Sequence, residues 1–518
     1  MKIAAIQIQA NDIKDFEQAS VKLMAMVEQA AANHDLVIVP ECAFPAYYLE
    51  AGEANLSLVM AKGQDLLNKI KTIAQTTGTY IAYGYAEPAD GTLYNTALLM
   101  DRNGNEVLKK RKSYLWHFDH LWFAEGEDLA IADTDFGRVG LVICCDARSP
   151  EIVRLTALAG AELIIDLANL TATGTNIAEL HNAQSAYMLS VRALENGVWL
   201  AVSDKWGVEA DSIVYTGRSA VYGPDGVCYY QACSDADEIV SVVIPTGQDG
   251  RIVRKTNKPL PERRPALYRL LAEPTDALPI KRVIEQPVKI SEITPYVTTA
   301  AGEFSAKEYI EMVRRMSIHG SKLICMPPSR LSLSDLEAAV RQELSGDAIV
   351  VATMLERDTT RSYIIDCTGL LATYTNAHHS GHQPFVFAAA WGNIGILHDE
   401  EGLIPEWSRV LMLSGADCLV WPNSLPTTIA TPVARTRAAE NRIFIVVAQA
   451  GALPGLGQII DPNGAIVAST LQSQPRQACG TYTCYANSRM KNIVPGTNVV
   501  FGRRPNAYLP LVETNIER

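Results

Sequence analysis

Gly137-Arg-Val-Gly-Leu-Val-Ile-Cys-Cys-Asp-Ala-Arg-Ser-Pro-Glu151 is the stretch from which the fold can be read. Val139 to Ile143 is an unbroken apolar or small run, the pattern of a buried strand. Two cysteines follow, then a polar turn. Pro150-Glu151 then open a segment, Ile152 to Ala159, with apolar residues at helical spacing and Gly160 to stop it. A thiol at such a strand-to-helix elbow lies near backbone N–H groups and a helix N-terminus, both of which favour thiolate. Adjacent cysteines are also ordinary small core residues, so this stretch alone leaves a nucleophile and a packing role open.

Working outward, Lys2 to Gln9 alternates as a strand with Ile3, Ala5 and Gln7 on one side. Phe16, Ala19, Leu23, Val27 and Ala30 mark one face of a helix. Leu36 to Val39 is an apolar strand that ends at Pro40-Glu41, where an open α/β sheet gathers its chemistry. Leu66 to Thr76 reads as a second helix and Tyr80 to Tyr85 as a strand. Asn95 to Met100 turns at Asp101-Arg-Asn-Gly104 and returns through Glu106 to Lys112, a hairpin. An aromatic run, Ser113 to Phe123, follows and suits a pocket wall or an interface. Alternating helices and strands with hairpins give an α/β fold with mixed sheets.

Three features in order carry a resemblance: Pro40-Glu41 after an apolar strand, Arg111-Lys112 after a hairpin, and Ile143-Cys144-Cys-Asp146 before Pro150-Glu151. The set resembles the nitrilase (carbon–nitrogen hydrolase) superfamily, which implies an αββα sandwich and a Glu-Lys-Cys triad. Arg192-Ala-Leu-Glu195-Asn196, Gly217-Arg-Ser219, Gly223-Pro-Asp-Gly226 and the tail Arg263-Arg264-Pro-Ala-Leu-Tyr268 extend the likeness to about residue 270.

The second half repeats the first. Gly392, Gly395, Pro405 and Glu406 each stand 255 positions after Gly137, Gly140, Pro150 and Glu151. Arg437-Ala-Ala-Glu440-Asn441 echoes Arg192 to Asn196, Leu323 to Pro327 echoes Leu36 to Pro40, and Arg503 to Tyr508 echoes the first tail. At this spacing Cys144 falls on Asp399; aligned through Pro40 and Pro327, Glu41 falls on Pro328, and aligned through Asp101/Asp366 and Gly104/Gly369, Lys112 falls near Ala377, so the triad types are gone. The expected organisation is two tandem αββα domains: a catalytic domain over residues 1–275, a linker over 276–288 in a stretch with three prolines, and a degenerate domain over 289–518. A different ligand in the second copy, held by His398, Asp399 and His378-His379, is the other reading.

The resemblance implies covalent catalysis. Cys144 attacks an amide or nitrile carbon, Glu41 shuttles protons, and Lys112 holds the oxyanion with the backbone N–H of Cys145. Cys145 is the rival nucleophile. It stands where many members carry Tyr or Trp. Asp119 takes the place of a further glutamate of many members, one methylene shorter, with Glu125 and Glu127 as fallbacks. Arg148 suits a substrate carboxylate, or else an ion pair with Glu151 or a loop carbonyl. Tyr47, Trp116, His117 and Phe118 are pocket-wall candidates. No metal or organic cofactor is implied.

The acid after the nucleophile and Arg148-Ser-Pro-Glu151 resemble amidase-like branches. The expected activity is therefore hydrolysis of a linear amide or carbamoyl nitrogen with release of ammonia. A nitrilase or an acyl transferase working through the same thioester is the alternative, and a non-catalytic binding or assembly protein is the reading from another class. A net charge of −12 argues against nucleic acid or an anionic membrane as main partner. No apolar run approaches a membrane span. The ten scattered cysteines fit a cytoplasmic protein with reduced thiols. The two halves are expected to form an intramolecular pseudo-dimer, with or without further homo-oligomerisation.

Overall fold

The computed structural model describes the chain apart from residues 51–52, 128, 175, 255–261, 281–291, 294, 302–304, 358, 377–380, 382, 452–455, 472–475, 481–483, 486–487 and 514–518. Most of the expected linker, together with Ala377, His378 and His379, lies outside the described residues. The chain divides into two compact units. One is Met1–Leu260 with Val494–Thr497, the other Pro261–Ile493 with Asn498–Ile516. The tail up to residue 275, assigned above to the first half, groups with the second unit. Its partners are there: Arg263 Nε donates to Glu406 Oε1 at 2.7 Å, and Ile280 N–H to the Leu413 carbonyl at 3.2 Å.

The first unit is a four-layer α/β sandwich. Its larger sheet holds β1 (Lys2–Gln9), β2 (Leu36–Ile38), β3 (Tyr80–Ala89), β4 (Thr92–Met100) and β5 (Glu106–Arg111) in that spatial order. Strands β1 to β3 are parallel, and β3 to β5 form antiparallel hairpins. Helices α1 (Phe16–Ala31) and α2 (Glu53–Thr77) cover its outer face. The second sheet runs through β6 (Ile131–Thr134), β7 (Gly137–Ile143), β8 (Leu163–Leu167) and β9 (Trp199–Ser203). Strands β7 to β9 are parallel, with α4 (Pro150–Leu158) and α5 (Leu189–Asn196) as their helices; α3 is the single turn Asp119–Trp122.

β1 shows why the layers form. Ile3 and Ala5 join the inter-sheet core with Leu141, Ile143 and Ile165, while Ala4, Ile6 and Ile8 join Leu23, Val27, Leu66 and Ile70 of the helices. The alternation expected from sequence is present, but both faces are buried, as in a parallel sheet covered on both sides. Gln7 is buried with them because its amide donates to the Cys233 and Ala236 carbonyls at 2.8 and 2.9 Å.

The second unit has the same order of elements. Strands Pro295–Ala301, Leu323–Cys325 and Ile349–Leu355 are parallel, a hairpin follows through Thr360–Asp366 and Gly369–Thr375, and Gly392–Ile396, Cys418–Asn423 and Phe444–Gly451 are again parallel. In the first unit Asp204 separates β9 from the next strand, Lys205–Glu209, which pairs with the larger sheet. In the second, Phe444–Gly451 runs unbroken and both strand sets share it, so the ladder is continuous over twelve strands.

Candidate active site

The elbow after β7 is real and tight. Cys144 has φ +50°, a left-handed conformation that a non-glycine residue holds at a cost of about 1–3 kcal/mol. Surrounding hydrogen bonds over-determine it. The Cys144 N–H donates to Asp166 Oδ1 at 2.7 Å, and the Cys144 carbonyl accepts Gln184 Nε2 at 2.8 Å. Arg192 Nε and Nη2 donate to the Ala147 and Arg148 carbonyls, both at 2.9 Å, while Nη1 pairs with Glu195 Oε1 at 2.7 Å. Asp146 ties the elbow to the loop after β5. It accepts the Ile143, Ser113 and Tyr114 N–H groups at 3.2, 3.2 and 2.8 Å, with Lys110 Nζ at 3.6 Å balancing its charge. Each fully buried Val, Leu or Ile of the surrounding core contributes about 1.5–3 kcal/mol, so one or two of them offset the strain.

Lys112 leaves the end of β5 directly into the interior and is 1% exposed. Its Nζ is 2.7 Å from Glu41 Oε1 and 2.7 Å from Asp119 Oδ2, two carboxylates that are also buried. Asn95 Nδ2 donates to Glu41 Oε1 at 2.6 Å, and the Trp116 N–H to Asp119 Oδ2 at 2.8 Å. The shorter Asp119 side chain therefore reaches Lys112 in full. Gly84 makes room for Glu41: a Cβ there would stand 2.3 Å from the Pro40 carbonyl oxygen and 2.9 Å from Glu41 Cα. Gly126 does the same behind the lysine strand, its N–H donating to the Lys112 carbonyl at 2.8 Å where a Cβ would sit 2.3 Å from Arg111. Glu125 and Glu127 are exposed.

The electrostatics correct one expectation. Burial pushes the Cys144 thiol well above its ordinary range, Glu41 adds to the rise, and Lys112 only partly opposes it. The resting sulfur is thus a thiol. The helix-terminus argument fails because the elbow continues as a short 3₁₀ turn, Cys144–Arg148, and the Cys144 N–H is already taken by Asp166. Burial also raises Glu41, against the pull of Lys112. For Lys112 burial works to remove the charge, but Asp119 and Glu41 outweigh it and hold the ammonium on. Burial raises Cys145 too; it is 1% exposed, against 6% for Cys144.

Several buried polar atoms have no hydrogen-bond partner among the described residues: Glu41 Oε2, Asp119 Oδ1 and both side-chain atoms of Asn169. The Asn169 carbonyl lies 3.7 Å from Cys144 Sγ. Unpaired buried polar groups cost about 1–3 kcal/mol each, and a polar ligand relieves that cost. Tyr47 is buried with its hydroxyl 3.5 Å from the Trp116 carbonyl, and Asp119 and Glu41 help burial to keep that hydroxyl protonated. Arg148 is half-buried with its guanidinium 5.0 Å from the Trp116 ring centre. It has no carboxylate partner among the described residues, which sets aside the ion pair with Glu151. Phe118 packs against Tyr48 and Trp122, at 5.5 and 6.2 Å between ring centres, and the His117 ring lies tilted at 45° to Phe118, 3.9 Å between centres. Sequence reasoning missed Asn95, Asp166, Asn169 and Gln184. Only Asp166 carried a visible signal, a carboxylate inside the apolar strand Leu163–Leu167.

The second unit keeps the elbow without this chemistry. Asp399 has φ +36°, the His398 N–H donates to Glu401 Oε2 at 2.8 Å, and Arg437 bridges the Gly402 carbonyl and Glu440 at 2.9 and 2.7 Å. Where Asp166 stands in the first unit the second has Trp421. Its Nε1 donates to the Asp399 carbonyl at 3.0 Å, and its ring fills the space that a Cβ on Gly402 would need.

Residues 2–249 match the family described as carbon-nitrogen hydrolase. A hydrolase of Pseudomonas protegens encoded in the pqqF 5′ region is 33% identical over 252 residues, covering 48% of this chain and 85% of that protein. An omega-amidase of Bos taurus is 29% identical over 237 residues, covering 43% and 82%. The crystal structure of an amidase from Nesterenkonia sp. aligns with 23% identity over 47% of this chain and 90% of that one, with a TM-score of 0.41.

Proposed function

The chain belongs to the carbon–nitrogen hydrolase family through its first half, and from that premise we propose that it hydrolyses a linear amide or carbamoyl nitrogen through a Cys144 acyl-enzyme. The observation that carries this reading is Lys112 Nζ held at 2.7 Å by both Glu41 and Asp119 in a buried site that also holds the strained Cys144. Glu41 accepts the thiol proton as the sulfur attacks the carbonyl carbon. Two of the three Lys112 N–H donors are engaged by carboxylates, and the third stabilises the tetrahedral oxyanion. Collapse expels the amine, which takes the proton from Glu41 and leaves as ammonia. Water then attacks the thioester, giving its proton to Glu41, and the carboxylic acid departs as the thiol re-forms. Asp119 keeps Lys112 charged throughout.

The relatives include both amidases and nitrilases; what favours an amide over a nitrile is the amidase-like Asp146 and Arg148-Ser-Pro-Glu151 after the nucleophile. The second unit is read as a non-catalytic copy, since Asp399 and Pro328 stand where the first has Cys144 and Glu41, and Lys112 falls near Ala377. The test is ammonia release by the full chain across a panel of amides, carbamoyl amines and nitriles, with Cys144→Ala as control. Release from nitriles alone, or none from any member, sinks this reading.

Arg148 narrows the substrate class. A guanidinium held over the Trp116 ring with no carboxylate partner among the described residues suits a carboxylate on the substrate. Amidating that carboxylate is expected to raise KM about tenfold or more in wild type, the scale of a lost charge-assisted hydrogen bond. In Arg148→Gln the same change matters little. Equal penalties in both proteins assign Arg148 to packing on Trp116.

A further inference from the structure

The loop that carries Asp119 is fastened from a distant part of the sequence. Val494–Thr497 belongs to the first compact unit, although the chain on either side of it belongs to the second. Within that turn Thr497 is 2% exposed, and its hydroxyl bridges two peptide groups of the aromatic run. It donates to the Leu115 carbonyl at 3.2 Å and accepts the His117 N–H at 3.4 Å. These groups flank Trp116, whose own N–H donates to Asp119 Oδ2 at 2.8 Å, and that same oxygen holds Lys112 Nζ at 2.7 Å. His117 has φ +44°, a conformation that needs outside support in a non-glycine residue. Gly496, at φ +81°, packs against the next ring along: a Cβ there would lie 2.9 Å from His120 Cδ2.

We propose that Thr497 is a positioning residue for the hydrolase, setting the Trp116–Asp119 loop so that Asp119 meets Lys112. This rests on the function proposed above. A hydroxyl has one donor and two acceptor sites, so one side chain serves both peptide groups at once. Valine fills the same volume and serves neither. The chain of contacts is short and buried: Thr497 to the loop, the loop to Asp119, Asp119 to Lys112. Geometry this close to a reacting centre is steep, since a misplacement of about 1 Å lowers turnover by up to about a hundredfold.

The test uses the full chain and three variants: Thr497→Val, Thr497→Ser and Gly496→Ala. Thr497→Val is expected to lower kcat about tenfold with little change in KM, the part of the geometric penalty a loosened loop incurs. The alkaline limb of the kcat–pH profile should move to lower pH, because Lys112 must stay protonated and a disengaged Asp119 holds that proton less well. Thr497→Ser keeps the hydroxyl and is expected to behave as wild type. Gly496→Ala presses the turn against His120 and is expected to shift the limb the same way. A wild-type profile in Thr497→Val, equal losses in the Val and Ser variants, or a fall in kcat with a fixed alkaline limb overturns the proposal. A second readout does not need turnover: alkylation of Cys144 by iodoacetamide against pH, followed by mass spectrometry. Lys112 acts on that sulfur, so Thr497→Val is expected to move the alkylation midpoint to higher pH while Thr497→Ser does not. If wild type hydrolyses nothing but the midpoint moves, the amidase reading fails and the positioning stands. If neither limb nor midpoint moves, the positioning fails alone.

Discussion

Cys144→Ala is expected to release no ammonia above background, a loss of about four to six orders of magnitude, the scale of deleting a nucleophile. Cys145→Ala is expected to keep the greater part of wild-type turnover. The two thiols are adjacent, yet the fold separates them. Cys144 sits at the strained point of the elbow, the more exposed of the two, with its backbone N–H and carbonyl both anchored. Its sulfur is also subject to both Glu41 and Lys112, whereas Glu41 is not among the principal influences on Cys145. A poor substrate should trap the acyl group for mapping by mass spectrometry. An adduct on Cys145, or full activity in Cys144→Ala, would falsify the assignment.

Glu41→Gln should lower kcat about a hundredfold or more, the typical share of general acid–base catalysis. The substitution keeps the size of the side chain, and its amide oxygen still accepts from Lys112 and Asn95, so the fold is expected to stand. The pH profile carries the stronger test. Glu41 works as a base only when ionised, so activity rises as pH climbs through its pKa. Burial raises that pKa, with Asp119 adding to it and Lys112 opposing. The acid limb of kcat/KM is therefore expected above the ordinary carboxylate range, and Glu41→Gln should lose that limb. A limb at the ordinary glutamate position, or one that survives in Glu41→Gln, assigns the base to another group.

The elbow and the order of its flanking elements were legible in the sequence because each is local, whereas Glu41, Lys112 and Cys144 were singled out by the family resemblance of the motifs around them. Val139–Ile143 reads as a buried strand from its short apolar run, and Pro150 with Gly160 brackets the helix. What could not be read depends on contacts between residues far apart in the chain. Asn95 meets Glu41 across 54 positions and Asp166 meets Cys144 across 22, and no periodicity encodes either pairing. The same holds for the direction of the thiol shift, which burial sets and local charge does not. The β3–β4 hairpin was missed for a different reason. Its turn is only Asp90-Gly91, both at positive φ, inside a run read as one strand and a gap. The reach of Asp119 was read as short by one methylene, and the backbone of the aromatic loop makes up the difference.

That the resting sulfur is a thiol bears on what else can touch it. Peroxide oxidises cysteine through the thiolate, and the sulfenic acid so formed can be driven on to irreversible sulfinic and sulfonic states. On the proposed mechanism, a Cys144 thiol kept protonated by burial is shielded from that ladder between turnovers and is unmasked only when its proton passes to Glu41. The protein should thus tolerate hydrogen peroxide better in the absence of substrate than a cysteine enzyme with a resting thiolate, measured as residual ammonia release after exposure. Rapid inactivation of the resting protein, with sulfenic acid trapped on Cys144, is the opposite result. Durability toward oxidants is then a by-product of the same burial that makes a separate base necessary.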